Sequence, residues 1–433
     1  MTHRSPERLR SGEARVGVIG LGYVGLPLAV AVARAGLEAV GLDTDEGKTA
    51  AIRRGESYLP DLPAEDVRAA VGSGALTATT DFGALAHLDA VCICVPTPLK
   101  KTREPDLSHV VAAVDQVAAH LRAGQLVVLE STVYPGAIAE VVRPHLEAGG
   151  LRAGADFFLA YSPERINPGS SAWSTRSVPK VVGGVGAEST SVATAFYQRI
   201  VDTVVPVSSA EAAEMTKLLE NTFRAVNIGL VNEVALICRE LGVDVWEVIA
   251  AAKTKPFGFM AFYPGPGLGG HCIAIDPFYL DWKARQVGLE SRFIQLAGIV
   301  NADMPRLVVE RVAEALNSRS RAVRGSRVHL FGMAYKANVG DVRESPAIAI
   351  AGLLQQRGAL VGYSDPFVPE VREGSLALRS VPAEDALANG TDCAVIVTDH
   401  DGVDYGEVAR RAPVLVDTRN TLPGVAGDHI FRL

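Results

Sequence analysis

The sequence predicts an α/β protein with a doubly wound parallel sheet at each end of the chain and helices between them. Three observations predict it. Short β-branched runs alternate with helical segments near both termini, the pattern of parallel sheets. Those runs are almost continuously apolar, as strands covered on both faces are. Between them lies a stretch with no proline and one glycine, from Ala210 to Leu241. The 433 residues are enough for about two to four domains. The pattern divides them at 1–205, 206–310 and 318–433.

The N-terminal strands are Arg15-Val-Gly-Val-Ile-Gly, Glu38-Ala-Val-Gly-Leu-Asp, Ala90-Val-Cys-Ile-Cys-Val and Leu126-Val-Val-Leu-Glu-Ser. The first runs into Gly20-Leu-Gly22-Tyr-Val-Gly25 and then an apolar helix, Leu26 to Ala35. This is GxGxxG between a strand and a helix, the context that gives the motif meaning. Gly20 permits the tight turn, Gly22 lets a pyrophosphate approach the backbone, and Gly25 lets helix and strand pack closely. The helix N-terminus offers free N–H groups and a partial positive charge to the phosphates. The second strand ends at Asp43, 23 positions after Gly20. A carboxylate there accepts hydrogen bonds from the ribose hydroxyls and repels a 2′-phosphate. No Arg follows in Thr44-Asp45, so NAD is expected rather than NADP.

In the middle, Ser208 followed by Glu211 predicts a capping box, and Gly242 a stop. The helix between them is about 45 Å long. It is apolar almost all round (Met215, Leu218, Leu219, Phe223, Val226), which predicts extensive burial. Glu214, Lys217, Asn221 and Arg224 are spaced 3, 4 and 3 and form one stripe. Two readings of that stripe stand: a solvated face, or buried polar groups that need partners. Further on, Pro264-Gly-Pro-Gly-Leu-Gly-Gly-His-Cys272 holds four glycines and one thiol. Glycines let backbone come close to a ligand, and Cys272 is a candidate nucleophile. Cys92, Cys94, Cys238 and Cys393 lie in apolar elements and read as inert core thiols. Asp276 follows Cys272 by four positions.

The C-terminal strands are Arg327-Val-His-Leu-Phe-Gly, Leu360-Val-Gly-Tyr-Ser-Asp, Cys393-Ala-Val-Ile-Val-Thr and Val414-Leu-Val-Asp, with no second GxGxxG. Composition excludes several classes. At 48% hydrophobic and 21% charged the chain is an ordinary folded protein. A net charge of −7 without a Lys/Arg block argues against nucleic acid and anionic membranes. Met1–Arg15 lacks a signal-peptide core, and no apolar stretch approaches a bilayer span. Five irregularly spaced cysteines imply neither disulfides nor a zinc site. A cytoplasmic protein without a metal is expected.

Taken together, several ordered motifs make the chain resemble the UDP-glucose/GDP-mannose (nucleotide-sugar) 6-dehydrogenases over essentially its whole length. They are Gly20-Leu-Gly-Tyr-Val-Gly-Leu-Pro, Val95-Pro-Thr-Pro, Glu130-Ser-Thr-Val-Tyr-Pro-Gly, Ser162-Pro-Glu-Arg, Glu214-Met-Thr-Lys-Leu-Leu-Glu-Asn, Gly269-Gly-His-Cys, and Tyr335-Lys336 with Asp341-Val-Arg-Glu-Ser. The resemblance implies two Rossmann-like doubly wound domains joined by a long central helix and a helical middle domain. It also implies a homodimer formed through that helix. By resemblance Cys272 is the nucleophile, with Lys217, Asn221 and Asp276 around it, while Thr132 and Glu164 position water. Gly20, Gly22, Tyr23, Val24, Gly25, Asp43, Lys48, Pro96, Thr97, Thr132 and Arg343 match cofactor contacts. Glu164, Lys217, Asn221, Tyr263, Gly269, Lys336 and Arg419 match contacts to a nucleotide-diphosphate sugar.

The implied chemistry takes the sugar C6 alcohol to a carboxylate, four electrons and two NAD, through a Cys272 thiohemiacetal and thioester. Lys217 and Asn221 would stabilise oxyanions, and Asp276 would handle a proton or hold Lys217. Two rivals are a two-electron NAD-dependent hydroxy-acid dehydrogenase and a catalytically dead relative. The intact Cys272, Lys217, Asn221 and Asp276 argue against the second. The segment Lys255 to Leu280 looks most like the UDP-N-acetylglucosamine 6-dehydrogenase branch, although Ala261 and Ala274 stand where proline is expected. UDP-glucose stays open. So does TDP-glucose, since 9 Lys among 42 basic residues suggests a GC-rich genome where such sugars are common.

Overall fold

Every apolar run named above forms a strand. The computed structural model describes residues 4–59, 61–100, 102–165, 175–374 and 376–433. The chain divides into two compact units, Met1–Glu220 with Phe278–Leu289 and Asn221–Pro277 with Glu290–Leu433.

The first unit is built on β1 (Arg15–Ile19), β2 (Glu38–Leu42), β3 (Leu76–Thr79), β4 (Ala90–Ile93), β5 (Leu126–Leu129), β6 (Phe158–Tyr161), β7 (Lys180–Gly184) and β8 (Val204–Pro206). They form one sheet in the order β3-β2-β1-β4-β5-β6-β7-β8. The first six follow the doubly wound 3-2-1-4-5-6 order, with its switch point between β1 and β4. Among the described residues of this sheet, only β6 and β7 pair antiparallel. Helix α1 (Gly25–Arg34) covers the β1–β2 crossover with Leu26, Leu28, Ala29, Val30 and Val32 each at most 2% exposed. Valines lower helix propensity. Fully burying each Val or Leu contributes about 1.5–3 kcal/mol, so packing against the sheet holds this helix.

Two helices run from one unit into the other: α2 (Ala210–Glu240) and α3 (His271–Gln286). The expected long helix is present, with one correction at its start. The cap is Ser209, not Ser208: the Ser209 Oγ accepts from the Ala212 N–H at 3.2 Å. Gly242, at φ +67, ends it as expected, with the Val243 N–H bonded to the Cys238 carbonyl at 2.8 Å. At Gly229 a Cβ would stand 3.2 Å from the Ala297 backbone, so the glycine admits α4 (Arg292–Asn317). The expected all-round burial of α2 is not found. Met215, Leu219, Phe223, Leu230 and Ile237 are 39–58% exposed and line one face.

The second unit carries β9 (Arg327–Phe331), β10 (Leu360–Ser364), the antiparallel hairpin β11 (Glu370–Glu373) and β12 (Leu376–Arg379), β13 (Cys393–Ile396), β14 (Leu415–Asp417) and β15 (Ile430–Arg432). Its parallel sheet runs β10-β9-β13-β14-β15. The hairpin stands where a third Rossmann strand would continue the sheet. It reaches the sheet through a bridge between Tyr363 and Ser380. Among the described residues no helix is long and apolar enough to cross a membrane.

His329 in β9 is 6% exposed and lies 2.8 Å from the Ser364 Oγ. Burial pushes its imidazole down to about 4. As pH falls, the unfolded chain takes up this proton first. The stability held above about pH 6.5 is therefore lost progressively toward pH 4, by roughly 3 kcal/mol at most. The variant His329→Gln should lose less stability than the wild type between pH 7 and pH 4.5 in urea melts. Identical acid slopes would refute the assignment.

Candidate functional site

In the first unit the Gly-rich turn has the geometry its sequence implies. Gly20 sits at φ +86, and a Cβ there would lie 2.7 Å from the Cys94 carbonyl oxygen. A Cβ on Gly25 would collide with the Gly20 carbonyl. At Gly22 a Cβ would meet nothing within 4 Å, so this backbone faces open space. No side chain caps α1 at Val24, and its first N–H groups suit a diphosphate. Tyr23 is 40% exposed beside them. Asp43, 7% exposed, follows β2. Its Oδ2 accepts from the Leu21 N–H at 2.8 Å and from the Lys48 Nζ at 3.3 Å, and its Oδ1 from the Asp45 N–H at 3.0 Å. The carboxylate is thus fixed at the rim of the turn. Pro96 is exposed and Thr97 buried. The Tyr279 hydroxyl of α3 donates to the Thr97 and Pro98 carbonyls at 3.0 and 3.2 Å. These residues fit a dinucleotide.

A second group in this unit surrounds Glu164. The Lys217 Nζ donates to the Glu164 carbonyl at 2.5 Å. The Glu164 Oε2 is 3.3 Å from the Lys180 Nζ, which is also 2.5 Å from the Glu130 Oε2. The Tyr197 hydroxyl donates to the Glu130 Oε1 at 2.5 Å. Burial pulls the Lys180 ammonium down, but Glu130 and Glu164 outweigh it and hold the group above its usual range. Burial pushes the Glu130 carboxyl up, against Lys180 and Tyr197. The segment carrying Glu164 is anchored on both sides. The Ser162 Oγ donates to the Val181 carbonyl at 2.8 Å, and the Arg165 guanidinium pairs with Glu220 of α2 at 2.6 Å. Thr132 is half-buried. Its loop is tied to α2 by Glu214, which accepts from the Gly136 and Ile138 N–H groups at 2.6 and 2.8 Å. Burial pushes the Glu214 carboxyl up to about 8 against those two donors.

In the second unit the Asn221 Nδ2 donates to the Asp276 Oδ2 at 2.5 Å. Both side chains are buried, at 9% and 2% exposed. The α2 stripe therefore divides: Glu214, Lys217 and Asn221 are buried with partners, and Arg224 is exposed. The backbone of α3 begins at His271, so Cys272 belongs to a helix rather than to the Gly-rich loop. Its side chain lies outside the described residues.

At three of the loop glycines the structure shows a packing requirement as well. A Cβ on Gly269 would stand 2.6 Å from the Tyr335 Cβ, and one on Gly270 2.6 Å from the Tyr335 ring. One on Gly265 would stand 2.8 Å from the Arg419 guanidinium. A side chain at any of these three positions would meet Tyr335 or Arg419. The loop is also held by backbone bonds, from Gly265 to the Asn232 Oδ1 at 2.9 Å and from Gly270 to the Arg343 carbonyl at 3.0 Å. Asn232 is bonded to Asn301 at 2.9 Å, and Asn301 to the Ala225 carbonyl at 3.1 Å. Sequence reasoning missed this buried amide pair, as it missed Lys180 and Tyr197. An asparagine inside an apolar helix is the one signal that was available.

Tyr263 is 49% exposed and stacks on Trp246 at 5.9 Å. Lys336 is half-buried. The Arg343 guanidinium is paired with Asp341 at 2.6 Å. Arg419 is anchored by its Nε to the Val397 carbonyl at 2.8 Å, and burial holds its guanidinium below the usual range.

This unit echoes the first. Gly332 follows β9 at φ +88 as Gly20 follows β1, and Asp365 follows β10 as Asp43 follows β2. Asp365, however, accepts from four backbone N–H groups (Met333, Ala334, Phe367, Val368) and faces His400 at 3.0 Å. Such a carboxylate has little capacity left for ribose hydroxyls. With no second GxGxxG, this domain is not built for another dinucleotide.

The fold and these residues define an NAD-dependent dehydrogenase. Models of the UDP-glucose/GDP-mannose dehydrogenase family match its NAD binding domain at residues 14–201, its central domain at 211–303 and its UDP binding domain at 329–424. The chain belongs to this family and is a nucleotide-sugar dehydrogenase. It is 37% identical to UDP-N-acetyl-D-glucosamine 6-dehydrogenase of Pseudomonas aeruginosa, over 82% of this chain and 83% of that one. It is 34% identical to UDP-N-acetyl-D-mannosamine dehydrogenase of Methanococcus maripaludis, over 94% and 93%. Among solved structures, UDP-D-ManNAc dehydrogenase of Pyrococcus horikoshii superposes with a TM-score of 0.87 at 32% identity, covering 96% and 98%. UDP-glucose dehydrogenase of Pyrobaculum islandicum does so at 0.86 and 30%, covering 97% of each.

If Asp43 sets cofactor choice, kcat/KM should favour NAD over NADP by about 100-fold or more. Asp43→Asn, which keeps an acceptor for Leu21 but loses the charge, should narrow that ratio. Equal efficiency with both cofactors in the wild type would contradict the role.

Proposed function

We propose that the enzyme oxidises the C6 hydroxymethyl group of a UDP-N-acetylhexosamine to the carboxylate, through a thioester on Cys272. The observation that carries this reading is the buried Asn221–Asp276 pair, with Asp276 one helical turn after Cys272. A two-electron alcohol dehydrogenase needs no thiol. NAD supplies the hydride acceptor twice, for alcohol to aldehyde and for thiohemiacetal to thioester. The Cys272 sulfur adds to the aldehyde carbon. Lys217 and Asn221, one turn apart on α2, stabilise oxyanions that develop at C6. Asp276 orients the Asn221 amide and takes a proton. Glu164, with Thr132, directs water onto the thioester. Lys336 and Arg419 hold the nucleotide diphosphate, and Arg343 and Lys48 the cofactor.

The sugar is proposed from the acetamido sugars in the names of the relatives above. UDP-N-acetylglucosamine is the first substrate to test, with UDP-glucose and TDP-glucose as alternates. In the test, Cys272→Ser should still reduce an added aldehyde but should not release two NADH per sugar. Lys217→Ala should slow several steps, by roughly 3–4 kcal/mol of lost oxyanion stabilisation. Two NADH per sugar at the wild-type rate from Cys272→Ser would overturn covalent catalysis. One NADH per sugar from the wild type would instead favour a two-electron dehydrogenase.

A homodimer completes the proposal. The exposed face of α2 continues past its end to Leu241, 72% exposed, and α4 exposes Phe293, Leu296 and Ile299 at 55–78%. Exposed apolar faces of this extent mark association surfaces. Light scattering should give twice the chain mass, and Leu230→Glu with Ile237→Glu should give one chain. A monomeric wild type would refute this.

A further inference from the structure

We propose that Lys180 is a positioning residue for Glu164, holding its carboxylate for the hydrolytic half of the reaction. This rests on the thioester reading above. Three observations carry it. Lys180 is the first residue of β7 and its side chain is 8% exposed, a position where an ammonium is kept only with partners. Its Nζ reaches two carboxylates, Glu130 at 2.5 Å and Glu164 at 3.3 Å. The Glu130 carboxylate is held in turn by the Tyr197 hydroxyl at 2.5 Å, and the Lys180 ammonium lies 5.1 Å above the Tyr197 ring. Tyr197 is fully buried, so Glu130 and Tyr197 form a fixed post for the ammonium. Glu130 is fully engaged and faces no open space. Glu164, at 14% exposed, is the member of the cluster that reaches the surface of its unit.

The Glu164 backbone and side chain are held by different lysines. Lys217 grips its carbonyl and Lys180 its carboxylate, while the Arg165 N–H donates to its Oε1 at 2.7 Å. The carboxylate is thereby kept in one orientation. In hydrolysis the water oxygen bonds to the thioester carbon as a water proton passes to Glu164. The carbon–sulfur bond then breaks, the proton returns to the sulfur, and a carboxylic acid and a free thiol result. No electrons are transferred. Misplacing the base slows this step and spares the first oxidation, which does not use it.

The test compares wild type, Lys180→Met and Lys180→Arg by rapid-quench measurement of NADH and intact-protein mass spectrometry. With Lys180→Met, steady-state kcat should fall about 20- to 100-fold. Its first-turnover NADH burst should stay within about threefold of wild type, and a sugar adduct should accumulate on the protein. Lys180→Arg keeps the charge and should recover kcat to within about tenfold. If Lys180→Met fails to fold because Glu130 is stranded, Glu130→Gln with Lys180→Met removes both charges and is read the same way. A burst and a steady-state rate that fall together, with no adduct, would overturn the positioning role alone. A wild type that yields one NADH per sugar would overturn the thioester reading and this role with it.

Discussion

The period of one helix governs the polar interior. At about 100° per residue, Glu214, Lys217, Asn221 and Asn232 of α2 fall within roughly 60° of one another. Each is buried, and each holds a different piece of chain: the 136–138 backbone, the Glu164 carbonyl, the Asp276 carboxylate and Gly265. Every one of these groups would be costly to bury alone. The helix is therefore fixed in register against four separate segments, and those segments are fixed by the helix. A shift of one residue would rotate all four groups away from their partners.

The cost of that arrangement is met by pairing rather than exposure. Lys180 lies between two carboxylates. Asp365 collects four N–H groups, and the Asn232–Asn301 amide pair is completed by the Gly265 N–H and the Ala225 carbonyl. The same logic separates the two sheets chemically. Both second-strand tips carry an aspartate, but Asp43 accepts from two backbone N–H groups and Lys48, where Asp365 accepts from four backbone N–H groups and faces His400. A shared α/β plan thus gives one domain suited to a dinucleotide and one that is not.

Much of the dinucleotide half was legible because its determinants are local. Gly20, Gly22 and Gly25 act within a single turn, and Asp43 is placed by one strand, one helix and one further strand. The helix end at Gly242 is equally local. The start was misread by one residue because Ser208 and Ser209 are both good caps, and only backbone geometry chooses between them. That two of the loop glycines also admit Tyr335, some 65 positions on, is not local information and could not be read from the loop. Lys180 carried no signal. A lysine at the head of an apolar run reads as a solvated strand end until Glu130, 50 residues earlier, is known to meet it.

By itself the sequence determined the alternation of strands and helices, the glycine turn, the acidic strand tip and the spacing of the α2 stripe. These follow from backbone sterics and helical period, which act over a few residues. Only the tertiary structure decided which polar residues are paired, which glycines serve packing, and that the apolar face of α2 is uncovered within a single chain. Those outcomes depend on groups tens to hundreds of residues apart. Their burial energies exist only once the chain has closed on itself.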